Sequence, residues 1–182
     1  MKTSRANSTT NVEIIPATPE QEPVLANLLE LYAHDFSEFV ELTLGPDGRF
    51  GYPHLHLYWK EPGRLPFVIK AGGRLAGFAL VRRGSEVSGD PEVWDVAEFF
   101  VVRGLRRLGV GASAAREIWK RLPGRWEVRV IERNVKAAAF WRRAVCEFLG
   151  EETEPTRFDE GGQARLLFSF ESEGPPESEG EA

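Results

Sequence analysis

Arg106-Arg107-Leu108-Gly109-Val110-Gly111 sets two arginines and two glycines between an apolar run and an amphipathic stripe. Val96 to Val102 before it reads as a buried strand. Val110, Ala114, Ile118 and Leu122 after it recur every four residues, the stripe of a helix. A helix opening at such a turn leaves its first N–H groups unpartnered, with the positive end of the dipole behind them. Gly109 and Gly111 let the backbone come close to a ligand, and Arg103, Arg106 and Arg107 add charge. The chemistry these residues suit is the binding of a diphosphate. The turn lacks the Gly-Lys-Ser/Thr ending of a nucleoside-triphosphate loop and the Gly-x-Gly-x-x-Gly of a dinucleotide fold.

A second constellation follows. Leu122-Pro123-Gly124 stops the helix, and Trp126, Val128 and Val130 then alternate with Glu127 and Arg129 as a half-buried strand. Asn134 comes next, a favoured N-cap residue, with Ala137, Phe140, Trp141 and Ala144 forming another helical stripe behind it. Arg106-x-x-Gly109-x-Gly111 resembles the acyl-CoA pyrophosphate loop of the GNAT superfamily of N-acetyltransferases. Asn134-x-x-Ala137-x-x-Phe140-Trp141, about 25 residues past the glycine turn, resembles that superfamily's Asn-x-x-Ala-x-x-Phe-Tyr element. The resemblance spans roughly residues 12 to 170, with its specific motifs confined to 96–145.

The resemblance implies an N-acetyltransferase in which a primary amine attacks the thioester of acetyl-CoA directly. It implies that Phe99, Val101, Arg106, Arg107, Leu108, Gly109, Val110, Gly111, Ala112, Asn134 and Phe140 bind the co-substrate. A backbone N–H on the strand before the turn would meet the developing oxyanion; by offset from Arg106 this is Val101, with Phe99 nearby. The amine must also lose a proton, which for a lysine-like acceptor at pH 7 costs about 4–5 kcal/mol. Asp95 and Glu98 are the carboxylates on that strand, on opposite faces if it is regular, and a bulge would change that count. Glu98 is the favoured base because an apolar setting raises a carboxyl pKa; its rival role is an ion pair with a nearby arginine. Trp141 stands where the family often has Tyr, and indole is no acid near neutral pH, so Tyr32, Tyr58 or water would protonate the leaving thiolate. A non-catalytic acyl-CoA-binding or sensing module on the same fold is the alternative.

These residues need a scaffold. Val12 to Ile15 reads as a first strand, and Pro19 to about Phe39 as one or two helices. Phe67–Lys70 and Leu75–Val81 flank Gly72-Gly73 as a hairpin, and Arg165–Phe170 forms a last strand. The order predicts a single α/β domain, a mixed twisted sheet of about six to seven strands flanked by helices. The acceptor pocket is expected from the N-terminal helices and the segment from Leu44 to Glu61. His54 and His56 there would share one face of a strand, and two histidines without a third ligand predict no metal. Asp35, Glu38 and Glu41 near a helix end are candidates to attract a cationic amine.

Composition sets the remaining bounds. A chain of 182 residues with 42% hydrophobic content suits one core. The polar segment 1–11 is expected to be flexible and lacks the apolar centre of a secretory signal. The tail from Glu171 to Ala182 carries five Glu and no basic residue, and is expected to be disordered. Residues 103 to 143 hold 12 basic and 3 acidic residues, a net +9 that suits the phosphates of CoA. Nucleic acid is the rival partner for such a cluster, but no helix-turn-helix, zinc or RNA-binding pattern accompanies it. No run approaches a membrane span, and the lone Cys146 forms no internal disulfide. A cytoplasmic monomer or homodimer is the expectation.

Overall fold

The computed structural model describes residues 11–174; of the N-terminal segment read as flexible, residues 1–10 lie outside the described residues, as does the end of the acidic tail, while Asn11 O accepts Gly72 N–H at 2.8 Å. The elements run β1 (Val12–Pro16), α1 (Glu22–Phe36), β2 (Arg64–Ala71), β3 (Arg74–Arg83), β4 (Trp94–Val101), α2 (Val110–Arg121), β5 (Gly124–Ile131), α3 (Val135–Leu149), β6 (Thr156–Glu160) and β7 (Gln163–Ser172). A 3-10 turn, Leu55–Trp59, follows α1. They form a single domain with a seven-stranded mixed sheet of order β1-β2-β3-β4-β5-β7-β6, and only β4 and β5 pair in parallel. No described helix is long and apolar enough to cross a membrane.

Period-2 alternation divides the strands between two faces. On one face Leu25, Leu28 and Leu29 of α1 pack with Val68, Phe78, Leu80 and Phe100. On the other, Val110, Ala114 and Ile118 of α2 and Trp141, Ala144 and Val145 of α3 pack with Ala79, Val81, Val96, Val101, Trp126, Val128 and Phe168. Val110, Ala114, Ile118, Trp141 and Ala144 of the stripes read from the sequence lie in these buried rows, with Leu122, Ala137 and Phe140 half-buried against them; Val24 and Leu31 of the α1 stripe are exposed.

Two irregularities shape the centre of the sheet. The first is a bulge in β4: Glu98 lies opposite Leu80 and Val96 opposite Val81, leaving Ala97 as the extra residue. The second is a splay. β4 and β5 are in register only at Trp94–Trp126 and Asp95–Glu127, and beyond Asp95 the strands part. Gly77 of β3 sits under the open end, where a Cβ would fall 1.9 Å from Phe100 O; only glycine lets β3 and β4 approach there.

Three sequence readings need correction. The segment carrying His54 and His56 is no strand: His54 precedes the 3-10 turn that contains His56, so the two do not share a strand face. β6 was absent from the sequence reading, because Thr156–Glu160 offers only Phe158 as a large apolar residue and pairs solely as an edge with β7. The domain also ends later than residue 170. Glu171 and Ser172 belong to β7, and buried Ser172 donates its hydroxyl to Trp119 O at 2.7 Å.

Candidate active site

The glycine turn lies between the open end of β4 and α2. Gly109, at φ +81°, is the N-cap of α2, and Arg107 is a second left-handed residue at φ +63°. Ser113 N–H makes the first backbone bond of the helix, to Gly109 O at 3.0 Å. The N–H groups of Val110, Gly111 and Ala112 therefore precede the helical ladder, and with the left-handed residues they form the kind of concavity that holds an anion. Leu108 is exposed at the tip of the turn. Gly111 has a packing role as well: a Cβ there would meet Phe140 Cε2 at 3.1 Å.

Phe140 ties the two motifs together. Its ring stacks on Phe99 of β4 with centroids 6.0 Å apart and meets Trp141 edge-on at 4.8 Å. Trp141 is 7% exposed and also packs edge-on against Phe99 at 5.0 Å. The indole is thus core, on the stripe with Ala144. Asn134 caps α3, its Oδ1 accepting Ala137 N–H at 3.1 Å.

Val101 carries the most specific backbone geometry. Val102 N–H bonds Ala76 O at 2.9 Å, which turns Val102 toward β3. Alternation then turns the N–H and C=O of Val101 the other way, into the splay. Its carbonyl accepts Arg106 Nε at 2.7 Å. Arg106, read from the sequence as charge at the diphosphate turn, faces back to β4 and to Asp35, which Arg103 also pairs. Asp35 is therefore engaged with these two arginines, whereas its sequence reading had it attracting an amine.

Most of the cationic segment is neutralised in the same manner. Arg116 and Arg143 pair with Glu147, Arg121 with Glu117, Arg125 with Asp90, and Arg142 with Glu154. Arg107, Lys120, Arg133 and Lys136 have no carboxylate partner among the described residues, and Lys120 lies at the far end of α2 from the turn. Arg107 lies in the turn, while Arg133 and Lys136 flank Asn134. The free N–H groups and these cations fit the phosphates of CoA.

On the opposite face the Ala97 bulge brings Asp95 and Glu98 to the same side. Asp95 is 1% exposed and bonded to Arg82 at 2.9 Å and Arg129 at 3.1 Å, at the closed end of the splay. Burial pushes its carboxyl up despite both guanidiniums. Glu98 is half-buried toward the open end and makes no ion pair among the described residues; Tyr52 Oη donates to its Oε1 at 3.2 Å. Burial raises the Glu98 pKa, while hydrogen bonding from Tyr32 and Tyr52 pulls it part of the way back. The Tyr52 and Tyr32 hydroxyls are pushed well up by burial and by this carboxylate, and Tyr58 up to about 12. Buried Tyr58 Oη has no hydrogen-bond partner among the described residues. Tyr52 lies in the Leu44–Glu61 segment expected to line the acceptor pocket, but its bond to Glu98 follows from no periodic pattern and exists only through the fold.

The arrangement puts a glycine turn with unbonded helix N–H groups, an open backbone N–H and a half-buried carboxylate around one gap in the sheet. The sequence matches the acetyltransferase (GNAT) family over residues 25–146, from α1 to the last turns of α3. Among curated proteins none matches the sequence. The fold is similar to that of an acetyltransferase from Thermus thermophilus, with TM-score 0.64 and 17% identity over 90% of this chain and 98% of that one. It is similar to NAA60 from Arabidopsis thaliana in complex with acetyl-CoA, with TM-score 0.60 and 14% identity over 88% and 98% of the two chains. A third similar structure is the GNAT domain of PAT from S. lividans, with TM-score 0.56 and 20% identity over 88% and 90%. At these identities the likeness is one of fold. The family match covers most of the chain and contains both motifs, and on that ground this protein belongs to the acetyltransferase (GNAT) family.

Proposed function

We propose that the protein transfers the acetyl group of acetyl-CoA to a primary amine by direct attack on the thioester. The observation that carries this reading is the splay itself: past Asp95, β4 leaves Val101 N–H unspent while Glu98 stands on the acceptor-facing side. The N–H groups of Val110, Gly111 and Ala112, with Arg107, hold the diphosphate. Phe99 and Phe140 line the apolar path toward the gap. The amine nitrogen forms the new C–N bond, the carbonyl oxygen takes negative charge against Val101 N–H, and the C–S bond then breaks. Glu98 accepts the amine proton, and its raised pKa makes it a stronger base than a free carboxylate. Trp141 has no proton to give, so the CoA thiolate, from a thiol of pKa about 8.5, leaves and is protonated by solvent.

Thiol release from acetyl-CoA in the presence of a panel of primary amines tests the reading. Release that depends on one class of amine supports it. Tight acetyl-CoA binding with no amine-dependent release would favour an acyl-CoA-binding module on the same fold.

A further inference from the structure

Arg106 belongs by motif to the diphosphate turn, yet its guanidinium is committed elsewhere. Nε donates to Val101 O at 2.7 Å and Nη2 lies 2.5 Å from Asp35 Oδ2. Arg103 meets the other oxygen of the same carboxylate, through Nε at 3.0 Å and Nη2 at 2.6 Å. Asp35 stands in the last turn of α1, its side chain only 20% exposed. Burial works against its ionisation, but the hydrogen bonds from Arg103 and Arg106 hold the carboxyl below its ordinary value.

The backbone explains why this matters. On the β5 side, β4 has no ladder partner past Asp95, so both polar groups of Val101 face the gap unpaired by the sheet. Buried backbone groups must find partners. Arg106 satisfies the carbonyl and leaves the N–H as the open group. Without it the carbonyl dipole would face the gap too, opposing negative charge on a thioester oxygen. A diphosphate in the adjacent turn is a strong competitor for any nearby guanidinium. Asp35 is the counterweight that keeps Arg106 on Val101.

We propose that Asp35 is a positioning residue for acetyl transfer: acting through Arg106, it holds the Val101 peptide with its carbonyl capped and its N–H open to the thioester. This rests on the acetyl-CoA reading above. The role it implies separates rate from affinity. Loss of Asp35 should slow transfer while leaving acetyl-CoA affinity unchanged or tighter, because the freed Arg106 can join the diphosphate.

The test is the infrared stretch of the thioester carbonyl in bound [1-13C]acetyl-CoA, which reads polarisation without requiring an acceptor. Calorimetry on the same samples gives the affinity. The wild type should lower the stretch relative to free acetyl-CoA. Asp35→Asn and Arg106→Lys should lose most of that lowering with affinity retained, and Asp35→Glu should restore part of it. With an amine acceptor, kcat for Asp35→Asn should fall about tenfold at unchanged KM for acetyl-CoA, short of the roughly 10²–10³ for full loss of an oxyanion donor. A wild-type stretch in folded, saturated Asp35→Asn would overturn the inference, as would a loss of affinity matching the loss of kcat. Should Asp35→Asn fail to fold, Arg106→Lys decides by the same two readouts. A wild type that binds no acetyl-CoA would overturn the underlying reading and this inference with it.

Discussion

Asp95 and Glu98 lie three residues apart on β4 and face the same side of the sheet, because the bulge at Ala97 adds one residue between them. A regular strand would place them on opposite faces. The shared face divides their roles: Asp95 is locked between Arg82 and Arg129, and Glu98 accepts a hydrogen bond from Tyr52 and makes no ion pair among the described residues. A like charge on Asp95 adds to the burial that raises the Glu98 pKa.

Glu98→Gln should lower turnover by about 10²–10⁴ with acetyl-CoA binding intact. The acid limb of the pH–rate profile, which lies above the ordinary carboxylate range in the wild type, should disappear. The same substitution should stabilise the fold at neutral pH. The folded carboxyl ionises at higher pH than the unfolded one, so the wild type loses stability as pH rises from the unfolded value through the folded one. Urea unfolding should show no advantage for Gln at low pH and a growing one above about pH 4.3, where an unfolded Glu ionises.

Tyr52→Phe removes the hydroxyl that donates to Glu98 and leaves the ring in place. The Glu98 pKa should rise further, moving the acid limb of the rate profile to higher pH. Stability should change by less than about 1.5 kcal/mol, the ordinary worth of one hydrogen bond. An acid limb that does not move would remove Tyr52 from the site.

Gly109→Glu should abolish CoA binding, because it sets a carboxylate at the mouth of the anion-binding turn. Nothing lies within 4 Å of the added Cβ, so the fold has room for it. The left-handed backbone adds strain of about 1–2 kcal/mol for any side chain. Gly109→Ala carries the same strain without charge and is the control. Calorimetry should find weakened but measurable binding for Ala and none for Glu.

Trp141→Phe should leave turnover largely unchanged, because an apolar ring still packs on Phe99 and Phe140. Trp141→Ala should destabilise the domain by about 3–5 kcal/mol, the cost of emptying a buried aromatic site. Loss of turnover in a well-folded Trp141→Phe protein that binds CoA would make the indole N–H a catalytic donor.

The sequence by itself determined the features that are local. The α2 and α3 stripes, the Asn134 cap, the β2–β3 hairpin and the glycine turn all follow from spacing, since helices and tight turns are built by near neighbours. The apolar run around Glu98 was also legible, and with it the burial that raises its carboxyl pKa. Tertiary structure decided what depends on distant partners. The Ala97 bulge and the splay exist only in the pairing of β3, β4 and β5. Tyr52 reaches Glu98 across 46 residues, and Asp35 takes Arg106 from the turn across 71. No periodicity encodes such contacts: a side chain chooses its partner by where packing sets its backbone, and a charge pairs with whichever opposite charge the fold brings nearest.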